Sequence, residues 1–347
     1  MVREPKRFCT DDFDYEYPKE AIAQRPLADR SASRLLALNR HSGAIDHTTF
    51  RTFAELPDPG DVLVTNVSRV VPARLTGKRD NGRDAEILLV HAEADGTWTC
   101  LAHPGGKLKV GRKVYFGEDT TAEIVAVLGG GLRRVRFSGA LDAGELMEEY
   151  GAVPLPPYIS RAPDDADTER YQTVYARENG SVAAPTAGLH FTEEILSRLE
   201  DRGVEITEVT LHVGPGTFKP VRDNDPSRHE MHAEWYSVSR EAAETVNETK
   251  AEGRRVWAIG TTSARVLETV GATGVLREDS GWTNLFVLPP YEFKMVDAML
   301  TNFHLPRSTL MMLVAALGGH EHIMNAYREA VERGYRLYSY GDAMAIV

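Results

Sequence analysis

Residues 70–137 contain several short strand-like runs and no helical period. Asp-Gly, Pro-Gly-Gly and Gly-Gly-Gly turns separate these runs. The runs cover residues 85–90, 98–102, 113–116, 122–128 and 133–137. Five or six short strands at this spacing predict a small antiparallel β-barrel, because no stretch between them is suited to a crossover helix.

From about residue 151 the pattern changes to strands that alternate with helices, which predicts a layered α/β/α domain. Residues 1–67 contribute a short helix near 19–24 and a hairpin over 35–50, too few to bury a core of their own. We therefore expect a discontinuous α/β catalytic domain, residues 1–67 and 151–347, interrupted by an inserted β-barrel domain, residues 68–150. In its C-terminal part we predict strands at 204–213, 255–259 and 285–288, helices at 240–252, 309–317 and 323–333, and an extended segment at 335–340.

The chain of 347 residues has a net charge of −11, but its basic residues concentrate in the barrel stretch. Residues 68–139 hold 12 Lys and Arg against 8 Asp and Glu, a local net charge of +4 that leaves −15 elsewhere. A run of charge is usually only a solvated surface, yet this asymmetry favours contact with nucleic acid. The candidate nucleic-acid-binding residues are Arg69, Arg74, Lys107, Lys109 and Arg112.

The first 18 residues are rich in charge and lack the apolar stretch of a secretory signal. The longest apolar run, residues 310–317, is too short to span a bilayer. Cys9 and Cys100 form no Cys-x-x-Cys pair, so neither a disulfide framework nor a cysteine-based metal site is indicated. We expect a cytoplasmic protein without membrane contact.

Two glycine-containing loops carry histidines to the ends of predicted elements. In the loop 183–192, His190 precedes a helix that Thr192 caps, where free N–H groups suit an anion and favour a neutral imidazole. In the loop 211–220, His212 follows a strand, and Gly214 and Gly216 let the backbone approach a ligand closely. Two tight turns with incidental histidines explain either loop alone, whereas the two together indicate a site.

Two further segments place polar groups at helix starts. Gly260, Thr261, Thr262 and Ser263 follow a predicted strand and offer hydroxyl and N–H groups to a carboxylate or ribose, although an ordinary capped helix explains them as well. Residues 301–308 combine an amide with His304 and with Arg307, whose guanidinium suits a carboxylate.

A metal site is the rival use of so many histidines, but the sequence does not favour it. There is no His-Glu-x-x-His motif, and His320 and His322 cannot face the same way on a helix. A Gly-x-Ser-x-Gly nucleophile elbow is also missing from the sequence. We therefore predict no metal.

The same segments resemble the signatures of the S-adenosylmethionine:tRNA ribosyltransferase-isomerase family of queuosine biosynthesis. The resemblance covers nearly the whole chain, and several matching strings are about ten residues long and in order. The segments that carry it are residues 13–15 (FDY), 22–26 (IAQRP), 154–159 (PLPPYI), 169–175 (ERYQTVY), 183–192 (AAPTAGLHFT), 211–220 (LHVGPGTFKP), 231–234 (MHAE), 301–308 (TNFHLPRS) and 340–344 (YGDAM).

The resemblance implies an enzyme that moves the ribosyl unit of S-adenosylmethionine, its cosubstrate, onto 7-aminomethyl-7-deazaguanine at the tRNA wobble position. The reaction forms epoxyqueuosine and releases adenine and methionine. It requires a base for a C5′ proton, which the sulfonium acidifies, and a clamp for the methionine carboxylate. The implied partner is the tRNA anticodon stem-loop, and we expect the enzyme to be a monomer.

On this resemblance we expect polar groups from distant segments to meet in one cleft. His190 or His212 is the expected base, with His304 a third catalytic candidate. Arg307 is expected to bind the carboxylate, and Tyr171 or Phe191 to face the sulfonium. The remaining candidates for substrate binding are Thr186, Gly188, Gly216, Thr217, His232, Thr261, Thr262 and Ser263.

The sequence departs from the family pattern at three positions. Val67 stands where the family usually has Asp, His103 where Arg is common, and Pro290 where Gly is expected. These changes leave one alternative within the family, an S-adenosylmethionine-dependent ribosyltransferase acting on a different amine-bearing acceptor. A non-catalytic RNA-binding protein is the other alternative, which the basic barrel favours.

Overall fold

The structure, a computed structural model, describes residues 7–218 and 220–347, but not the side chains of Thr217 and Phe218. The binding role predicted for Thr217 thus lies outside the described residues. Within the described residues the strands are β1 (Arg34–Leu38), β2 (Ile45–Thr49), β3 (Val62–Asn66), β4 (Ser68–Val70), β5 (Arg74–Arg79), β6 (Asp84–Ala92), β7 (Trp98–His103), β8 (Lys113–Phe116), β9 (Thr120–Val127), β10 (Leu132–Ser138), β11 (Gly151–Ala152), β12 (Glu178–Ser181), β13 (Glu205–Leu211), β14 (Glu234–Val238), β15 (Val256–Ile259), β16 (Asp279–Thr283), β17 (Ala298–Asn302) and β18 (Ala343–Ile346).

The helices described are α1 (Ala143–Tyr150), α2 (Asp165–Arg170), α3 (Glu193–Asp201), α4 (Arg240–Ala251), α5 (Gly260–Val270), α6 (Thr309–Gly318) and α7 (His320–Glu332). Several begin where the sequence places a capping side chain. Thr192 accepts a hydrogen bond from the Ile195 N–H at the start of α3, and Ser239 and Ser308 cap α4 and α6 in the same way. Each cap satisfies an N–H group that the helix itself leaves unpaired.

The largest sheet is mixed, with the order β16-β14-β13-β3-β15-β17-β18-β1-β2. Its centre consists of four parallel strands, β13, β3, β15 and β17. Parallel strands end at the same edge of a sheet, so Leu211, Asn66, Ile259 and Asn302 mark one common carboxyl edge. Three strand spacings, roughly 14 Å, separate the end of β13 from the end of β17.

Two apolar cores cover the two faces of this sheet. On one face, α3 and the short 3₁₀ segment Phe50–Glu55 pack around Phe53 and Trp257. On the other face, α4, α5, α6 and α7 pack around residues such as Val246 and Met311. Strands β3 and β17 are buried on both faces, as expected of parallel strands between helical layers. The layered α/β/α arrangement is therefore confirmed.

The second sheet closes into a barrel of six antiparallel strands, in the order β5-β6-β7-β10-β9-β8, with β5 and β8 paired to complete it. The short β11 adds to β5, and Leu75, Ile87 and Val135 are among the residues that fill the interior. Closure leaves the barrel without free edges. The antiparallel barrel beside an α/β sheet is confirmed as the fold.

Local predictions in the C-terminal part were partly wrong. Residues 285–288 form no strand; instead β16, at residues 279–283, pairs with β14 as the edge of the sheet. The segment 335–340 makes only an isolated bridge between Ile22 and Leu337, and the last strand is β18. Helix α7 begins at His320, three residues before its first predicted position. None of the helices in the described ranges is long and apolar enough to cross a membrane.

Candidate active site

A polar cleft, here called the edge cleft, lies at the carboxyl ends of β15 and β17. Its walls come from segments that are far apart in the sequence but adjacent at this edge. Ligands bind at this position in many open α/β sheets. The polar side chains that line the cleft are Tyr158, Thr186, Thr261, Thr262, Thr301, Asn302, His304, Ser308, Tyr338 and Ser339.

The N-terminus of α5 forms one wall of the edge cleft. Gly260 has φ +88, a left-handed conformation that suits glycine and lets β15 turn directly into the helix. No side chain caps α5, and the buried Oγ1 of Thr262 has no hydrogen-bond partner among the described residues. Free N–H groups and an unpaired hydroxyl therefore meet at the positive end of a helix.

Ser263 does not take part in this wall. Its side chain is fully buried and donates a hydrogen bond to the Ile259 carbonyl oxygen at 3.0 Å, within the first turn of the helix. The prediction that Ser263 contacts a ligand was therefore wrong. Thr186, Thr261 and Thr262, by contrast, do line the cleft.

His304 also lines the edge cleft, after the end of β17. A hydrogen bond of 2.7 Å joins its Nε2 to Thr301 Oγ1, and its backbone N–H donates to the Tyr327 hydroxyl at 3.0 Å. Burial lowers the pKa of His304 to about 3, so the ring is neutral at physiological pH. The structure describes no partner for Nδ1. The ring is therefore neutral and fixed in place, and Nδ1 is the nitrogen left to contact a bound ligand.

His190 is not in the edge cleft but supports it through Asn302. The His190 ring is buried, with Nδ1 at 2.8 Å from Ser33 Oγ and Nε2 at 3.1 Å from Asn302 Nδ2. Since the amide donates to Nε2 and to the Tyr338 carbonyl oxygen, Asn302 presents Oδ1, which has no partner among the described residues. His190 thereby holds the amide in one orientation, which makes it a positioning residue.

His190 was predicted to be neutral because of a nearby helix N-terminus. The structure attributes the neutral form to a different cause. Burial is the main cause, and together with the charges of Arg30 and Arg336 it lowers the pKa of His190 to about 3. The ring lies at the end of the 3₁₀ segment Thr186–His190, and α3 starts beyond it at Glu193.

The two buried histidines make folding depend on pH in a defined direction. Their pKa is about 3 in the folded protein and about 6.5 when unfolded, so the unfolded chain binds more protons between these values. The free energy of unfolding should therefore fall as pH falls through this window. We expect His190→Gln to reduce the slope between pH 6 and pH 5 by about 1 kcal/mol per pH unit. Urea unfolding at both pH values measures this, and an unchanged slope would contradict it.

His212 lines a different cavity, between β14 and β16 of the large sheet and β6 and β7 of the barrel. Its Nδ1 lies 2.7 Å from Ser68 Oγ, and its ring stacks on Trp235 at a centroid distance of 5.1 Å. Burial lowers its pKa. The three predicted histidines thus line three separate cavities. The expectation that they converge was wrong, because β13 and β17 are not neighbouring strands in the sheet.

The aromatic residues predicted to face a sulfonium are core residues. Phe191 is fully buried and makes edge contacts with Phe50 and Phe53, and Tyr171 is fully buried against Tyr340. Two tyrosine rings border the edge cleft, those of Tyr158 and Tyr338, and their centroids are 4.9 Å apart. Their positions were not predicted, because strand and helix patterns carry no signal for these two rings.

The remaining predicted glycines and His232 have packing roles. A side chain at Gly188 would clash with the Tyr175 hydroxyl, and one at Gly216 would clash with the His232 ring. None of these three predicted residues lines the edge cleft. Their predicted contact with a ligand is not supported by where they lie.

Arg307 is not among the residues that line the edge cleft. Its side chain is 46% exposed, and Nε donates to Asp14 Oδ2 at 2.9 Å while Asp11 lies 3.4 Å away. Two carboxylates already neutralise the guanidinium, so its predicted role as a carboxylate clamp is corrected. The amide noted within residues 301–308 is Asn302; it was not assigned a contact with a ligand, although its position at the end of a buried strand was a usable signal.

The five residues predicted to bind nucleic acid divide into two groups. Arg74 is paired with Glu86 at 3.1 Å and Arg112 with Asp80 at 3.4 Å. Arg69, Lys107 and Lys109 are exposed, and no carboxylate of the described residues forms an ion pair with them. Only the second group is available to a polyanion without breaking an ion pair.

The three departures from the family pattern lie outside the edge cleft. Val67 is buried where β3 ends, and His103 lines a separate cavity with Arg74. Pro290 is not among the residues that line the edge cleft either. Among the described residues, no group of three or more His, Cys, Asp or Glu side chains is placed to hold a metal ion.

An α/β sheet with a polar cleft at the carboxyl ends of its parallel strands, joined to a small closed barrel, is the architecture of a two-part α/β enzyme. Residues 10–346 match the family described as "Queuosine biosynthesis protein". The chain therefore belongs to this family.

Individual relatives agree with this assignment. The chain is 52% identical to the S-adenosylmethionine:tRNA ribosyltransferase-isomerase of Heliobacterium modesticaldum, over 96% of this chain and 98% of that protein. It is 51% identical to the protein of that name from Symbiobacterium thermophilum, over 97% and 99%. The crystal structure of the S-adenosylmethionine tRNA ribosyltransferase of Thermotoga maritima is 40% identical and superposes with a TM-score of 0.57, covering 97% of this chain and 100% of that one.

Proposed function

We propose that the protein transfers and isomerises the ribosyl unit of S-adenosylmethionine onto 7-aminomethyl-7-deazaguanine at the tRNA wobble position, releasing adenine and methionine. Its relatives carry the name of this reaction class. We also propose that it recognises the anticodon stem-loop and acts as a cytoplasmic monomer. The observation that carries the proposal is the start of α5, which has no capping side chain at its N-cap residue and lines the edge cleft together with Asn302 and His304.

The start of α5 is the proposed site of the methionine carboxylate. Its first-turn N–H groups lack a side-chain cap, and the helix dipole favours a negative charge there. By contrast, the neighbouring α6 begins with Ser308, whose Oγ accepts from Met311 N–H at 3.1 Å, so one of its N–H groups is already paired. Of the two helix starts, that of α5 is therefore the better site for the methionine carboxylate.

The unpaired oxygens of Thr262 and Asn302 are the proposed contacts of the nucleoside. A buried polar atom without a partner has lost its hydration, so a ligand that supplies a hydrogen bond there recovers that loss. Asn302 Oδ1 is a hydrogen-bond acceptor, so it selects a ligand group that donates, such as an amino or hydroxyl group. The rings of Tyr158 and Tyr338 border the same cleft and suit the sulfonium cation.

His304 is the proposed base for the C5′ proton next to the sulfonium. Its Nδ1 takes that proton, adenine leaves, and the amine of the acceptor base adds to the activated carbon skeleton before methionine departs. The imidazole requires no prior deprotonation, because burial already keeps it neutral. The cleft provides the orientation and the partial exclusion of water that the step needs.

The direct test is incubation with S-adenosylmethionine and tRNA that carries 7-aminomethyl-7-deazaguanine. We expect free adenine and methionine in equal amounts and only when the modified tRNA is present. Release with another amine-bearing RNA but not with this one would support the alternative acceptor. Binding of RNA without any binding of S-adenosylmethionine would overturn the proposal in favour of a non-catalytic RNA-binding protein.

Replacing Thr262 with Val tests the cleft itself. Within the part of the chain that the structure describes, the hydroxyl has no partner, so its loss should leave the free energy of unfolding nearly unchanged. We expect the Kd for S-adenosylmethionine, measured by calorimetry, to rise about 2- to 10-fold. The matched control is Thr273→Val, an exposed position beyond the other end of α5, which should leave the Kd unchanged. Equal Kd values for both variants would argue against this site.

A further inference from the structure

We propose that the cavity beside His212, here called the aromatic cavity, receives the acceptor base after it has been flipped out of the RNA. This inference rests on the proposed function. It assigns the acceptor base of the RNA to a cavity separate from the edge cleft, where S-adenosylmethionine is proposed to bind. The rings that line the aromatic cavity are His91, Trp98, His212, Trp235 and Trp282.

Two walls of rings face this cavity. His212, Trp235 and Trp282 come from three adjacent strands of the large sheet, since β14 lies between β13 and β16 and Trp235 is directly opposite Trp282. His91 on β6 and Trp98 on β7 supply the barrel side. The His91 and Trp282 rings are 5.1 Å apart and bridge the two walls.

The chemistry of these walls favours a nucleobase over other occupants. Proteins bind unstacked bases between aromatic and imidazole rings, and enzymes that modify a base take it out of its strand into such a pocket. The volume of about 330 Å³ falls within the range of small-ligand sites. Trp282 is 54% exposed although it is a large apolar side chain, so its outer face is open to a ligand.

The aromatic cavity is next to the edge cleft. Val213 lines both, so the two cavities share a border at this residue. His212 packs directly on Gly180, whose φ is +146 and where any side chain would clash with the ring. A base in the aromatic cavity would thus lie beside a nucleoside in the edge cleft, with its aminomethyl group at their common border, where a group transfer requires the reacting atoms to meet.

A cationic side chain lies where the RNA strand would enter. Arg69 on β4 is paired in register with Asn179 on β12, and Asn179 lines the aromatic cavity. Both residues are exposed, and no carboxylate of the described residues neutralises Arg69. A phosphate next to the flipped nucleotide is the partner that suits this guanidinium.

The test uses tryptophan fluorescence and steady-state kinetics with an anticodon stem-loop RNA carrying 7-aminomethyl-7-deazaguanine. Three of the four tryptophans line the cavity, and Trp257 is a fully buried internal reference. We expect the RNA to quench the fluorescence of the wild type and less so of Trp282→Ala. We expect Trp282→Ala and Trp98→Ala each to raise the KM for the RNA about 10-fold or more.

The controls separate this inference from the proposed function. Tyr115→Ala removes an exposed aromatic ring from the barrel outside the cavity and should leave the KM for RNA unchanged. The Kd for S-adenosylmethionine should be unchanged in every variant. Active wild type with RNA KM values within twofold in both tryptophan variants would overturn the inference alone. Absence of S-adenosylmethionine binding to the wild type would overturn the proposed function instead.

Discussion

Replacing His304 with Gln is expected to lower kcat about 100- to 10,000-fold, the range for loss of a positioned general base. Glutamine keeps most of the volume and can still hydrogen-bond to Thr301, but it cannot accept a proton at neutral pH. The Kd for S-adenosylmethionine should change little, because the imidazole acts on the reacting proton. Single-turnover release of adenine, with saturating S-adenosylmethionine and modified tRNA, measures the effect.

The hydrogen bonds around His304 determine which nitrogen is available. Thr301 Oγ1 lies 3.3 Å from the Asn302 carbonyl oxygen, to which it donates its single proton. The His304 Nε2–H then donates to Thr301 Oγ1, and the lone pair is on Nδ1. Thr301→Val should therefore reduce kcat by a smaller factor than His304→Gln, because the base remains but its tautomer is no longer held.

The control for this prediction is His41→Gln. His41 is exposed in the turn of the β1–β2 hairpin, so its replacement should leave adenine release unchanged. Adenine release by His304→Gln within threefold of the wild type would remove His304 from the mechanism. His212 would then be the remaining histidine candidate for proton transfer, because it lies near both proposed substrates.

Replacing Glu234 with Ala is expected to lower the free energy of unfolding by about 3–5 kcal/mol, the cost of leaving a buried charge unpaired. Glu234 and Arg265 form an ion pair in which both side chains are only 3% exposed. Glu234 Oε1 also accepts from the Gly214 N–H at 2.7 Å, so the carboxylate holds the loop between the two cavities. Urea denaturation at neutral pH measures the loss.

Two further variants distinguish the effect of breaking the buried ion pair from the effect of removing a single surface charge. Glu148→Ala removes an exposed glutamate from α1 and should change the free energy of unfolding by less than about 0.5 kcal/mol. The double variant Glu234→Met, Arg265→Met should be more stable than Glu234→Ala, because no charge remains buried alone. A loss below 1 kcal/mol in Glu234→Ala would show that water reaches Arg265 and that the pair is not desolvated.

Local signals were enough to predict much of the architecture. Thr192 was recognised as a helix cap because a cap depends on side chains within three residues of one another. The barrel was recognised from short strands separated by glycine turns, a pattern that excludes helices over the whole stretch. The hairpin near the N-terminus was found for the same reason, and β1 and β2 do pair antiparallel.

The sequence by itself determined the family, the two types of sheet and the segments that supply the site. Only the tertiary structure decided which side chains of those segments face a cavity. Arg307 is neutralised by Asp14, 293 residues away, and His190 is held by Ser33, 157 residues away. Such partners are set by the order of strands in the sheet, which places β13 and β17 apart and so sends His212 and His304 to different cavities. A local pattern shows where a histidine follows a strand, but its burial and its neighbours depend on contacts between distant parts of the chain.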